Sequence, residues 1–235
     1  MKVEYIGKCL FLNDEGEKVL VVGDLHLGYE EAMNKSGVFV TREMYNEMIR
    51  EFDEMFLKVG DVEEIVLLGD VKHAFSGNLS QEWNDVLRLI EYLKEKCKKL
   101  IILKGNHDNY LVNISRKGEI EVEKTYFWKG FIFLHGDVDN IELYDKKVKY
   151  WVMGHAHPAI KISDGNKMEK YKCFIVGKYK SKEVIILPSF FPLVVGSDVR
   201  EGLNVPWEFN LNNFDVKVVS ENLEVLDFGK LKNLN

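Results

Sequence analysis

Cysteine is scarce in this chain: Cys9, Cys97 and Cys173 stand far apart, odd in number and without C-x-x-C spacing. That pattern argues against a disulfide scaffold and against a thiolate zinc site. Reduced, mostly buried thiols in a cytoplasmic protein are expected instead. Long hydrophobic runs are also missing, so no membrane span is expected. The opening residues, MKVEYIGKCLFLNDEGE, alternate and turn too early for a secretory leader. There is no internal repeat, low-complexity tract or Pro/Ser-rich linker. Nor is positive charge in excess, since 32 Lys and Arg face 38 Asp and Glu for a net charge of −6. Tight, non-specific duplex binding is therefore not expected, although local basic loops remain compatible with the composition. With 235 residues, 46% of them hydrophobic, the chain can bury a substantial core. One domain spanning residues 1–235 is expected.

The apolar pattern divides the chain in two. Val3–Ile6, Cys9–Leu12 and Lys18–Val22 read as strands, the last two joined by the turn Asn13-Asp14-Glu15-Gly16. A polar loop follows. Thr41 then opens an amphipathic helix with Glu43 in its first turn and Met44, Met48, Ile49, Phe52, Met55 and Phe56 on one face. Ile65–Leu68 and Leu100–Leu103 are short, wholly apolar strands of the parallel, doubly covered kind. Between them Ser80 caps a second helix carrying Trp83, Val86, Leu87, Ile90 and Leu93, with Lys94–Lys99 at its solvated C-terminal end. Beyond residue 115 strands dominate: Ile120–Glu123, Phe131–His135, Trp151–Met153, Ala159–Ile162, Tyr171–Val176 and Val184–Leu187, with a short helix near Ile141–Lys147. A loop with Pro188, Pro192 and Pro206 follows, and a hairpin of Val216–Val219 and Leu223–Leu226 ends the chain. Tyr126-Phe127-Trp128 and Trp151 read as core. A β-α-β-α-β half followed by a strand-rich half implies an α/β protein of two stacked sheets with helices outside.

Five short loops, each directly after an apolar strand, carry the polar chemistry. They are Gly23-Asp24-Leu25-His26, Gly69-Asp70-Val71-Lys72-His73, Gly105-Asn106-His107-Asp108, His135-Gly136-Asp137 and Gly154-His155-Ala156-His157-Pro158. All six histidines of the chain lie in them. In α/β sheets ligands bind at the carboxyl ends of strands, so the loops can converge at one rim. Glycines allow the sharp turns and close approach that such a rim needs. Asp24 and His26, like His155 and His157, are two residues apart, a spacing that points side chains to one side at a strand end. A capping aspartate beside a surface histidine accounts for one such pair, but not for five loops together. Imidazole with carboxylate suits zinc, manganese, iron or nickel better than calcium or magnesium. Ser189 has no nucleophile-elbow context, so serine hydrolase chemistry is not supported.

Taken in order, the loops resemble the calcineurin-like metallophosphoesterase family, whose signature runs D-x-H, G-D, G-N-H-[DE], H and then G-H-x-H. The resemblance covers Asp24 to His157. It implies a four-layer α/β/β/α sandwich of two mixed sheets with flanking helices. It also implies two divalent transition-metal ions, manganese first, with zinc, nickel or iron as alternatives. One ion would be held by Asp24, His26, Asp70 and His157. The other would be held by Asp70, Asn106, His135 and His155, with Asp70 bridging. Asn106 and His107 would face the substrate, a phosphate ester, with a nucleotide or nucleic acid among the candidates. Two cations about 3.5–4 Å apart can share a hydroxide near neutral pH and clamp phosphoryl oxygens. A cationic His107 opposite can stabilise developing charge or protonate the leaving oxygen. Asp108 either orients that ring or is a solvated turn residue.

His73 bears on substrate choice. Gly69-Asp70-Val71-Lys72-His73 is similar to the G-D-x-x-H of the double-strand-break repair nucleases in the same superfamily. His73 then touches the phosphate or its immediate surroundings; otherwise it is a hydrogen-bonded histidine beside Lys72. Leu187 to Asp198 is similar to the P-x-F-x-P-L-x-x-G-x-D segment of a subfamily found in archaea and, in bacteria, beside DNA ligase and helicase genes. Its Phe pair packs on the core or on a second copy in a homo-oligomer, or stacks on a base. Phosphodiester hydrolysis is favoured over phosphomonoester hydrolysis. A scaffold that keeps the fold without catalysis, as the retromer subunit of the superfamily does, would be expected to have lost some of these residues.

Overall fold

A computed structural model of the chain describes residues 1–74, 80–108, 111, 122–163, 165 and 167–234. The first sheet has the order β1 (Lys2–Ile6), β2 (Cys9–Asp14), β3 (Glu17–Val22), β4 (Val62–Leu67), β5 (Cys97–Leu103) and β6 (Val122–Glu123). β1 to β3 form an antiparallel meander, and β3 to β6 run parallel. The β2–β3 turn is closed where Gly16, at φ 96°, donates its N–H to Asn13 Oδ1 at 3.1 Å. Parallel neighbours require crossovers, and α2 (Met44–Val59) and α3 (Ser80–Lys94) supply two of them.

The second sheet contains β7 (Thr125–Trp128), β8 (Phe131–Leu134), β9 (Tyr150–Met153), β10 (Pro158–Ser163), β11 (Met168–Tyr179), β12 (Lys182–Ile186), β13 (Ser197–Asp198), β14 (Asp215–Val219) and β15 (Val225–Lys230). Its order is β13-β10-β11-β12-β9-β8-β7, with β14 on β11 and β15 on β14. β8, β9 and β12 are mutually parallel.

Alternation gives each sheet two apolar faces, and three clusters follow. Leu10, Leu12, Val19, Val21, Val66 and Leu103 meet Phe131, Phe133, Val152, Phe174 and Ile185 between the sheets. Phe11, Leu20, Ile65 and Ile102 on the other face of the first sheet lie under Met48, Phe52 and Met55 of α2 and Val86, Ile90 and Leu93 of α3. The outer face of the second sheet, including Trp151, Met153, Ile175 and Val184, is covered by Leu143, Val199, Trp207, Phe214 and Leu231. Several of these sit on one-turn 3-10 segments, Ile141–Tyr144, Val199–Glu201 and Leu231–Asn233. The two stacked mixed sheets are as expected; among the described residues α-helices cover the first sheet, and one-turn 3-10 segments take the place of α-helices over the second. The short helix expected near 141–147 is one such turn, capped by Asn140, whose Oδ1 accepts from Glu142 N at 3.1 Å. Trp128 and Trp151 are core as expected, whereas Phe127 is exposed.

Three local expectations are corrected. The polar loop after β3 contains a seven-residue helix, α1 (Tyr29–Lys35), which has no side-chain cap to announce it. The next helix begins at Met44 rather than at Thr41. Its first amides are held by a residue far from it in sequence: Glu30 Oε1 accepts from Glu43 N at 2.8 Å and Met44 N at 2.9 Å. α3 ends at Lys94, and β5 takes up Cys97 onward, so Lys98 and Lys99 are strand residues. The side chain of Ser80, on which its capping role rests, is not described, and the start of the strand expected at Ile120 lies outside the described residues. No described helix is long and apolar enough to cross a membrane.

The Glu30 contacts can be tested. Glu30→Ala removes an acceptor from two helix-terminal amides and should lower unfolding free energy by about 1–2 kcal/mol in urea titration. An unchanged midpoint would mean that water satisfies those amides equally well.

Candidate metal centre

The five loops leave the carboxyl ends of β3, β4, β5, β8 and β9 and meet at one rim. Backbone hydrogen bonds lock them together: Leu25 N and His26 N donate to Asp70 O at 3.1 and 2.9 Å, and Gly154 N donates to His135 O at 2.9 Å. Gly69, at φ 100°, lies so close to Gly105 that a Cβ would come within 2.7 Å of the Gly105 nitrogen. A Cβ on Gly105 would itself meet Asp70 Oδ1 at 2.2 Å. His26, Asp70, His155 and His157 all have positive φ, between 44° and 61°. Left-handed backbone is costly for such residues and tends to occur where function demands it. These side chains therefore reach one point by leaving the strand conformation, not by the pleat expected from two-residue spacing.

Two groups of ligand atoms result, each within 4.8 Å of one another: Asp24, His26 and His157, and Asp70, His135 and His155. In the first, His157 Nε2 lies 3.4 Å from Asp24 Oδ2 and 3.3 Å from His26 Nε2. In the second, His135 Nε2 lies 3.5 Å from Asp70 Oδ2, 3.1 Å from His155 Nδ1 and 3.0 Å from Asn106 Oδ1. Asp70 Oδ2 stands between the groups, 3.9 Å from His26 Nε2 as well. His26, His73 and His107 form a third group at the mouth.

The donor chemistry fits a cation. His135 Nδ1–H donates to Leu68 O at 2.9 Å, which leaves the Nε2 of the neutral ring as a lone pair. That lone pair faces a carboxylate oxygen, an amide oxygen and another imidazole nitrogen. Acceptors that converge in this way repel unless a proton or metal lies between them. His26 Nδ1 is buried without a hydrogen-bond partner among the described residues. Asp24 is fully buried, yet although burial opposes its ionisation, His157, His135 and His26 hold its carboxyl well below the usual range. Burial pushes Asp70 up to about 7, with Asp24 adding to the rise against the opposing pull of His135. It pushes His26 down to about 3 and His73 down to about 4, and lowers His155 and His107. On His135 burial is outweighed by Asp24 and Asp70, which raise it. These shifts favour neutral rings at His26, His73, His107 and His155 beside an anionic Asp24, whereas His135 and Asp70 hold their protons more firmly and would give them up to a bound cation.

His107 is set differently. Its Nδ1–H donates to the carbonyl of His73, its N–H donates to Asp70 Oδ1 at 2.9 Å, and Nε2 lies 3.9 Å from Asp70 Oδ2. His73 sits edge-on to Tyr29, with centroids 4.8 Å apart, and stacks near His107 at 5.4 Å. Asp108 is not a solvated turn residue. It is wholly buried, and its carboxylate accepts from Gly105 N at 3.0 Å and Lys72 N at 3.3 Å.

Sequence reasoning missed the supports behind these groups. Glu82, on α3 and buried, accepts through Oε1 from His73 N at 2.9 Å and Ala74 N at 2.7 Å. Its Oε2 lies 3.8 Å from Nζ of Lys72, which is also buried. The expected Phe pair packs on the core. Phe190 stacks on Phe52 at 4.4 Å, and Phe191 lies edge-on to Tyr29 and His26 at 4.9 and 5.8 Å. Lys172 donates to the carbonyls of Ser189 and Phe191 at 2.7 and 2.6 Å, and Lys8 donates to that of Phe190 at 2.8 Å. Ser189 Oγ and Phe191 N in turn donate to Asp24 O, at 3.0 and 3.1 Å. None of these partners is near in sequence, so no local signal announces them.

The family model described as calcineurin-like phosphoesterase matches residues 17–220, and the chain belongs to that family. It is therefore a metallophosphoesterase, a hydrolase of phosphate esters whose family implies divalent metal ions. No curated protein matches the sequence. Among solved structures, the nuclease MPE of Pseudomonas putida is 16% identical, with a TM-score of 0.65 over 96% of this chain and 94% of that one. Yfce, a phosphoesterase from E. coli, is 14% identical, with a TM-score of 0.47 over 88% and 95%. Wild-type Vps29 from Entamoeba histolytica, complexed with zinc, is 16% identical, with a TM-score of 0.37 over 90% and 99%. At these identities the first likeness is one of fold, and the other two carry no argument.

The buried pair behind His73 makes a prediction. Glu82→Gln leaves the Lys72 ammonium buried without its counter-charge and should destabilise the protein by about 3–5 kcal/mol. Lys72→Met with Glu82→Gln should recover much of that loss in urea unfolding. Additive losses in the double variant would show that the two charges are not coupled.

Proposed function

We propose that this chain is a dinuclear phosphodiesterase acting on a nucleotide or nucleic acid, with manganese the first candidate metal. The observation that carries this reading is the pair of Asp/His groups meeting at Asp70. Asp24, His26, Asp70 and His157 would hold one ion, and Asp70, Asn106, His135 and His155 the other. Bound there, the pair would supply a hydroxide nucleophile near neutral pH and offset charge on the phosphoryl oxygens.

The chain's own residues do the rest. The His73 carbonyl holds the Nδ1–H of His107, so Nε2 faces the centre, and it is the cationic form of the ring, protonated at Nε2 as well, that passes a proton to the leaving oxygen. Burial lowers the His107 pKa, and an anionic phosphate alongside would raise it again toward the working range. His73, neutral near pH 7, offers a ring nitrogen to the phosphate. A diester carries two substituents on phosphorus and must be turned to place the correct leaving oxygen opposite the nucleophile. A second imidazole beside His107 is suited to that task. A monoester needs it less, since its three free oxygens are equivalent. The 187–198 segment supports kinship with the DNA-ligase-associated subfamily, and its contacts with Asp24 and His26 give it a structural duty in this chain.

Two expectations follow. Asp70→Asn should remove metal and activity together, whereas His107→Gln should keep its metal while kcat falls on the order of 10²-fold. Elemental analysis and steady-state kinetics read both, and loss of metal from the His107 variant would count against its role. His73→Ala should lower kcat/KM for bis-p-nitrophenyl phosphate more than for p-nitrophenyl phosphate, with metal content intact. A wild type that prefers the monoester, or equal losses on both substrates, would replace the diesterase reading with a phosphomonoesterase.

A further inference from the structure

A cleft of about 600 Å³ opens beside the second metal group, and Asn106 and His135 lie at its junction with the centre. Two chain segments line it. One comprises the ends of β5 and β6 with the residues that follow, Lys104 and Lys124. Leu103 pairs with Glu123 in parallel register, and Lys104 N donates to Glu123 O at 2.8 Å. The two lysines therefore leave neighbouring strands side by side, at the carboxyl-end rim where the site lies. Both are exposed, and neither ammonium is in an ion pair among the described residues. The other segment, Gly136 to Ile141, brings Asp137, Asp139 and Asn140 together with Val138 and Ile141, which are 65% and 86% exposed.

We propose that this cleft is a subsite for the nucleotide unit next to the scissile phosphate, with its far phosphate on Lys104 and Lys124. The inference rests on the reading of the site as a phosphoesterase acting on nucleotides or nucleic acid. A neutral or small substrate would need neither lysine. A substrate with a second phosphate gains from both, and the carboxylates of the other segment repel that phosphate and fix its direction. Asp137, Asp139 and Asn140 suit sugar hydroxyls or base amino groups, and Val138 and Ile141 give the base or sugar an apolar rim. A mixed cleft of this kind selects a short polyanion by position, which agrees with a chain whose net charge of −6 does not favour broad duplex binding.

The test compares substrates that differ only in the second phosphate. Dithymidine monophosphate is assayed with and without a terminal phosphate at either end, and a nucleoside bisphosphate is compared with the nucleoside monophosphate. In the manganese-loaded wild type the added phosphate should raise kcat/KM about tenfold, from two exposed lysine–phosphate pairs of a few-fold each. In Lys104→Ala/Lys124→Ala that ratio should fall toward one. Anisotropy of a labelled oligothymidylate should show weaker affinity at low salt and a shallower salt dependence in the double variant. A wild-type ratio of one, or a ratio and oligonucleotide affinity unchanged by the double substitution, overturns the subsite. Faster cleavage of the bisphosphate with no turnover of either diester supports the subsite while overturning the diesterase reading.

Discussion

Ligand atoms that converge so closely that a proton or a cation must lie between them are the constraint on which the rest of this structure turns. The His135 ring commits one nitrogen to the Leu68 carbonyl and aims the other at Asp70, Asn106 and His155. A few ångströms away His26 and His157 face each other over Asp24. Atoms placed in this way repel unless a proton or a cation lies between them, so metal binding, proton release and local order are linked. The left-handed backbone at His26, Asp70, His155 and His157 is a second strain at the same place.

Holding strained groups together requires stiff surroundings. The apolar layer between the sheets anchors the strands from which the loops emerge, and the parallel runs β3-β4-β5 and β8-β9 point their carboxyl ends to one rim. Behind the ligands lies a shell of buried charge. Asp108 ties the β4 and β5 loops through backbone amides, Glu82 holds the His73 turn, and Lys172 with Lys8 holds the segment 189–191 against Asp24. Burial pushes Lys172 down to about 7, and its two carbonyl contacts need no charge to persist. Each support acts on a backbone atom, so it fixes where a ligand stands and leaves the ligand's own chemistry free.

The loops themselves were legible in the sequence because each is a short string of chemistry at the end of an apolar strand. Asp24-x-His26 or His155-x-His157 declares itself within three residues. Most of the strands were legible for a similar reason, since alternation and wholly apolar runs are local signals, but β7 and β13 were not among those expected and β15 runs Val225–Lys230 instead of Leu223–Leu226. What escaped depends on partners far along the chain. α1 has no capping side chain, and its register is settled by Glu31 accepting from Gln81 N and by Glu30 serving another helix. The true start of α2 was hidden for the same reason, because its acceptor is Glu30 and not Thr41. Glu82 and Lys172 read as ordinary charged residues until the fold buries them. Apart from the turn at Ile141–Tyr144, the outer layer of the second sheet was illegible in another way: one-turn segments carry no period for a pattern to show.

The central claim is that the two Asp/His groups are two metal sites joined at Asp70. Diffraction from manganese-loaded crystals, recorded on both sides of the manganese absorption edge, addresses it directly. Two anomalous peaks per chain are predicted, one among Asp24, His26 and His157 and one among Asp70, His135 and His155, with the Asp70 carboxylate touching both. A single peak at saturating manganese, or two peaks with Asp70 bound to only one, would contradict it.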